Sequence, residues 1–208
     1  MTDVPPTLTG LVVADAPTAW ADAGFAVVGD HLDVAGVRLT LTGDSEGRGV
    51  VAWSLSDVAD DAIDGLATVH APGGVPVGRP PGHPNGTIAI DHLVVASPAP
   101  ARTAAALAGH GIEPRRTRDT EVAGNPLRQV FFRLGEPILE LIGPPDGEGD
   151  GPASFWGLAF TVDDLDAAKD LLGDGLSDPK HAVQPGRCIA TLRHRDVGIG
   201  VPVAFMSR

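Results

Sequence analysis

The chain is 208 residues long and 43% hydrophobic, enough for one large domain or two small ones with an ample core. It holds no apolar run of the ~18 residues that a membrane-spanning helix needs. The net charge is −12 with a pI near 4.8, which argues against a nucleic-acid partner because phosphates call for clustered Lys and Arg. The acidic surplus is concentrated in the first 85 residues, and most of the cations lie beyond them. The opening Met1-Thr2-Asp3-Val4-Pro5-Pro6 is acidic and lacks a basic-then-apolar leader, so a soluble, cytoplasmic protein is expected. The single cysteine, Cys188, leaves no intrachain disulfide and no Cys-based zinc site; in its apolar run it reads as a buried structural thiol.

In chain order, residues 9–14 read as a strand, with Asp15 capping a short helix to Gly24. Strands follow at 25–28, 31–34 and 37–42, separated by Gly29-Asp30 and Ala35-Gly36. A further strand, 50–55, leads to a helix expected around Asp60 to Leu66. Residues 71–86 are rich in Pro and Gly and form the clearest linker, placing a domain boundary near residue 86.

Residues 88–96 read as a buried strand, with Ser97 as N-cap and Pro98 as first residue of a helix that ends at His110-Gly111. An arginine-bearing loop (Arg115, Arg116, Arg118, Arg128) leads to strands 129–134 and 138–142. Residues 144–151 are a second, Gly-rich linker. The last segment predicts a strand at 156–162, a helix from Asp164 capped by Asp163, a loop 173–186, and strands 187–194 and 201–206.

The segments repeat. Sliding the last onto the central one places Gly157-Leu158-Ala159-Phe160 on His92-Leu93-Val94-Val95 and Phe205 on Glu140. Leu11-Val12-Val13-Ala14 matches Leu93-Val94-Val95-Ala96. Repeats of this kind, alternating strand and helix, indicate duplication. The expected fold is α+β: repeated βαβββ modules paired into a cupped mixed β-sheet with helices on the outside. Residues 1–86 form a degenerate module with a truncated βα piece and linker, and 87–208 a paired domain with modules 87–145 and 153–208.

Ile90-Asp91-His92-Leu93-Val94-Val95, Ile138-Leu139-Glu140-Leu141-Ile142 and Leu158-Ala159-Phe160-Thr161-Val162-Asp163-Asp164-Leu165 together resemble the vicinal oxygen chelate superfamily, which includes glyoxalase I, bleomycin-resistance proteins, methylmalonyl-CoA epimerase and extradiol dioxygenases. The resemblance implies that two modules pair into a cup. It also implies a divalent metal (Zn, Ni, Mn, Co or Fe) held by a His on the first strand and a Glu on the fourth strand of each module, and pairing of chains into a homodimer.

Strand period puts Ile90, His92 and Val94 on one face, and Ile138, Glu140 and Ile142 on one face. A carboxylate between apolar neighbours is costly unless a metal, a protonated histidine or an arginine compensates it. His92 and Glu140 are therefore the candidate catalytic pair and the candidate metal ligands. The counterparts are Gly157 and Phe205 in the last module and Gly10 and Thr40 in the first, so the ligand set is incomplete. Gln129, His110, His181, Gln184 and His194 are further possible donors. Gln129, Phe131, Trp156, Phe205 and Arg193 are candidates for contacting a small-molecule ligand. Two functions are open. One is a metal-assisted lyase, isomerase or epimerase acting on a small oxygenated metabolite, or the same proton chemistry by Glu140 without metal. The other is a non-catalytic binding or antibiotic-sequestering protein.

Overall fold

The computed structural model describes residues 5–43, 47–59, 61–70 and 82–208. In the first part, β1 (Leu8–Val13) and α1 (Pro17–Asp22) are followed by β2 (His31–Val34), β3 (Val37–Leu41) and β4 (Val50–Leu55). They form a four-stranded sheet of order β2-β3-β1-β4, with β1 parallel to β3 and antiparallel to β4. Then comes a hairpin, β5 (Ala62–Ile63) and β6 (Leu66–Ala67).

The second part starts with β7 (Thr87–Ala96) and α2 (Pro100–Gly109), then β8 (Pro114–Val122), β9 (Asn125–Arg133) and β10 (Ile138–Gly143). It continues with β11 (Ser154–Val162), α3 (Leu165–Leu172), β12 (Lys180–His181), β13 (Cys188–Thr191) and β14 (Val203–Met206). These strands make one cupped mixed sheet of eight, order β12-β13-β14-β11-β7-β10-β9-β8. The order is symmetric about the central antiparallel pair β7–β11, as expected if two modules meet strand one to strand one. Each first strand is parallel to the last strand of its own module, β7 to β10 and β11 to β14.

One face of this sheet carries the core. Ile90, Leu93, Val95, Val130, Phe132, Leu139, Leu141, Leu158, Phe160, Val203 and Phe205 belong to a single apolar cluster that also takes in Trp20, Phe25 and Trp53 of the first part. Phe25 packs edge-on to Phe160, with centroids 5.0 Å apart, and Trp53 lies 5.4 Å from Phe155. The first part thus covers the outer face of the large sheet. On the opposite, inner face Asp91, His92, Phe131 and Glu140 are only partly buried.

Several expected elements differ. Residues 25–28 do not form a strand; only Val28 makes a bridge, to His31. Phe25 instead turns into the core, and the Ala26 N–H donates to His83 Nδ1 at 3.0 Å rather than to a neighbouring strand. Where a helix was expected near Leu66, the described residues form the β5–β6 hairpin (Asp60 lies outside them). Asp64 and Gly65 both have positive φ, 48° and 92°, as a two-residue hairpin turn requires.

Residues 114–122, expected as loop, form strand β8. It is almost wholly polar because it is the sheet edge, where charge guards against unwanted pairing. Helix α2 begins at Pro100, two residues late, while the Ser97 Oγ accepts from Ala99 N at 3.0 Å. Asp164, not Asp163, caps α3, accepting from Asp166 N and Ala167 N. Asp15 caps nothing. It is buried, and it accepts from Trp20 Nε1 (3.2 Å), Gly49 N (3.3 Å) and Gly200 N (2.9 Å), tying the first part to the loop before β14. Cys188 is only partly buried.

Candidate functional site: a carboxylate–imidazole–carboxylate relay

The inner face is set by register and by two irregularities. Between β7 and β11, Ala159 pairs with His92 but Phe160 pairs with Ile90, so Asp91 is an extra residue. An extra residue in a strand interrupts strict alternation and re-aims a side chain. Ile90 therefore joins Leu93 and Val95 on the core face, and Asp91 comes round to the side of His92. The expectation that Ile90 shares a face with His92 and Val94 is corrected accordingly. A second extra residue, Trp156, lies opposite the Val95–Val94 step. Phe155 points to Trp53 on the outer side, and Trp156 and Gly157 take the inner side, with Trp156 51% exposed.

His92 and Glu140 do meet. His92 Nε2 lies 3.5 Å from Glu140 Oε2, and both side chains are largely buried. They belong to adjacent parallel strands, with Val94 beside Glu140 and Ile138 beside His92. The other histidine nitrogen, Nδ1, is 2.9 Å from Asp91 Oδ1. Asp91 Oδ2 receives Arg187 Nη1 at 2.7 Å and the Thr161 hydroxyl at 3.0 Å. Arg187 is itself held by donating from Nε to Ser207 O (2.7 Å) and from Nη2 to Thr161 Oγ1 (3.2 Å). On the far side, Gln129 Nε2 donates to Glu140 Oε1 at 2.5 Å. The result is a continuous chain, Arg187–Asp91–His92–Glu140–Gln129, across four strands or strand ends.

Burial alone would push the Asp91 carboxyl up. The hydrogen bonds from His92 and Arg187 and the Arg187 charge outweigh it, holding the group down at about 2. Asp91 is thus an ionised acceptor, and the imidazole must present Nδ1–H to it. That leaves Nε2 towards Glu140 Oε2. His92 Nε2 and Glu140 Oε2 thus face each other, 3.5 Å apart, on the inner face. Because Gln129 engages Oε1, Oε2 is the oxygen free to take or give a proton.

Phe131 pairs with Glu140 and therefore lies on the inner face beside it. Phe205 does not. β14 pairs with β11 so that Val203 lies beside Leu158 and Ala204 beside Ala159, just as Leu139 lies beside Leu93 and Glu140 beside Val94. The counterpart of Glu140 is therefore Ala204. Phe205, one residue on, faces the opposite way and is fully buried against Phe160 and Phe25; a slip of one residue changes the face. Arg193 follows β13, is exposed, and uses its backbone N–H on Gly175 O; no contact joins its side chain to His92 or Glu140. His110 Nδ1 is engaged at the end of α2 by Ala106 O and His194 Nδ1 by Ile199 O, while His181 and Gln184 are exposed, so none of these joins the pair. Asp91 and Arg187 escaped the sequence reading. Their signal, the extra residue in β7, exists only once β7 and β11 are paired.

For a metal, the inner face offers two donors, His92 Nε2 and Glu140 Oε2. Their counterparts Gly157 and Ala204 carry none. Among the described residues no group of three or more His, Cys, Asp or Glu is placed to hold an ion. Protein metal sites typically draw three or four ligands from the chain, so the residues present do not fit a resident metal.

No family model matches the sequence, and no curated protein matches it. Solved structures do. A substituted 4-hydroxymandelate synthase from Streptomyces coelicolor is 15% identical, with TM-score 0.60 over 98% of this chain and 93% of that one. A catechol 2,3-dioxygenase is 15% identical, with TM-score 0.55 over 97% of this chain and 86% of that one. An extradiol ring-cleaving dioxygenase from B. fuscum is 11% identical, with TM-score 0.55 over 99% and 72%. At these identities the likeness is one of fold: the chain has the vicinal oxygen chelate fold. No helix among the described residues is long and apolar enough to cross a membrane.

Proposed function

We propose that the inner face is an active site that moves a proton on a small oxygenated metabolite, giving isomerase, epimerase or lyase chemistry. The observation that supports this most directly is the relay in which Asp91 fixes the His92 tautomer and His92 Nε2 faces Glu140 Oε2. With the pair as imidazolium and carboxylate, Glu140 Oε2 takes a proton from the carbon next to a substrate carbonyl. The C–H electron pair moves to the carbonyl oxygen, which takes the proton from His92 Nε2. Glu140 is then an acid and His92 neutral, and return of the protons at another face or carbon restores both. No co-reactant is needed. The ionised Asp91, itself anchored by Arg187, stabilises the imidazolium state at the start and end of the cycle.

A second reading is a binding protein that holds a small molecule without converting it. Gly157 and Ala204 favour it, because the counterparts of His92 and Glu140 in the second module carry no acid or base.

Exchange of carbon-bound protons in D2O, followed by NMR over a panel of small 2-oxo acids, ketones and 1,3-dicarbonyl compounds, separates the two. Enzyme-dependent exchange that falls ~10²-fold or more in Glu140→Gln supports catalysis. Exchange in no compound, or equal exchange in that variant, supports the binding reading.

A further inference from the structure

Among the described residues, two polar atoms on the inner face are buried without a partner: Arg118 Nε, a donor, and Gln129 Oε1, an acceptor. They belong to residues directly opposite one another, since β8 pairs with β9 so that Arg118 lies beside Gln129 and Arg116 beside Phe131. Side chains opposite in register share a face. Gln129 is on the inner face because its Nε2 donates to Glu140, and Arg118 starts from that face too. An orphaned buried donor or acceptor costs about 1–3 kcal/mol. A matched pair of them one rung from the Glu140 carboxylate is a recognition element awaiting a ligand that supplies both complements.

We infer that this wall of the cup is an anion subsite, and that the substrate is a small oxo acid bearing a hydroxyl, whose carboxylate accepts from the Arg118 guanidinium while its hydroxyl donates to Gln129 Oε1; 3-phenyllactate is its non-reacting analogue. This rests on the proton-transfer reading of the same cup. A carboxylate is the group that a guanidinium edge matches best, through parallel N–H···O bonds. The exposed Arg116, one rung away and on the same side, adds a second cation to the approach. Glu140 is itself engaged, at Oε1 by the Gln129 amide and at Oε2 beside His92 Nε2. Phe131 and the half-exposed Trp156 supply apolar surface for the rest of the molecule.

The test is calorimetric titration of the intact chain with 3-phenyllactate, 3-phenylpropanoate (no hydroxyl) and 3-phenyllactamide (no charge). The expected order is 3-phenyllactate tightest, 3-phenylpropanoate several-fold weaker, and the amide tenfold weaker or more. Arg118→Gln is expected to weaken 3-phenyllactate at least tenfold and the amide less than twofold, with Arg118→Lys between wild type and Arg118→Gln. The melting temperature of each variant reports folding. Equal binding of acid and amide, an unchanged affinity in Arg118→Gln, or no binding of 3-phenyllactate up to about 20 mM overturns the anion subsite. Equal binding of 3-phenyllactate and 3-phenylpropanoate overturns the hydroxyl contact. Glu140→Gln separates this proposal from the catalytic one: it should keep 3-phenyllactate binding within threefold while abolishing proton exchange. Arg118-dependent binding with no exchange in any compound would sink the catalytic reading alone. Exchange that depends on Glu140 but not on Arg118 would sink the subsite alone.

Discussion

The Asp91 carboxylate accepts from His92 Nδ1 at 2.9 Å although the two residues are neighbours in one strand. Neighbours in a regular strand point to opposite faces. Here the extra residue in β7 brings them to one side, so the strand supplies both the imidazole and the group that orients it. Asp91→Asn is expected to lower proton exchange on the order of 10²- to 10⁴-fold, because an amide in that place no longer fixes the tautomer of an acid/base histidine. Ligand affinity should stay within twofold, because Asp91 reaches the substrate only through His92. Exchange kinetics and titration on the same variant check both.

The low position of the Asp91 carboxyl has a consequence for acid stability. Its folded-state pKa is depressed from 3.8 to about 2. A depressed carboxyl contributes stability that is present above the unfolded value and is lost as pH falls through the folded one. The contribution is of order 2 kcal/mol and should disappear between about pH 4 and pH 2. Arg187→Ala should destabilise the protein near pH 6 and flatten this part of the profile. Denaturant melts at pH 6, 4, 3 and 2 would show the two proteins converging as the acid is approached.

Phe205 and Trp156 were indistinguishable as candidate ligand contacts in the sequence, and the structure separates them. Phe205 is fully buried, and Phe205→Ala should cost about 3–5 kcal/mol with a clear fall in melting temperature. Trp156 is half-exposed, so Trp156→Ala should change stability by less than about 1 kcal/mol yet weaken any aromatic ligand of the cup. Thermal melts and titration with 3-phenyllactate read the two effects independently.

What the sequence could and could not reveal follows from how each feature is encoded. The module repeat, the first strands and the His92–Glu140 pair were legible because strand periodicity and Gly/Pro breaks are local signals. β8 was not, since an edge strand of alternating Arg, Thr, Asp and Glu has no apolar face to reveal it. Asp64-Gly65 carried a hairpin signal that an expected helix overrode. The mismatch of Phe205 with Glu140 came from aligning segments without their pairing. Only the β11–β14 register shows that Ala204 stands in that place. Arg118 read as one of four loop arginines until its partner across the ladder, Gln129, was known.

Asp15 offers a test of how the two parts of the chain depend on each other. Its buried carboxylate satisfies Trp20 Nε1 and the Gly49 and Gly200 N–H groups. Asp15→Ala leaves these donors without their acceptor and should cost about 2–4 kcal/mol. Hydrogen exchange should then show faster opening both of the loop around Gly200 and of the segment around Gly49. Acceleration confined to one of them would contradict a tie between the parts.

In the proposed reaction Glu140 and His92 move a proton without a resident metal. Carbon-bound proton exchange measured before and after exhaustive chelation, with metal content determined on the same sample, tests it most directly. Exchange is expected to be unchanged in metal-free wild type and to fall ~10²-fold or more in Glu140→Gln. Exchange that vanishes on chelation and returns with near-stoichiometric Ni, Co, Mn or Zn would contradict it.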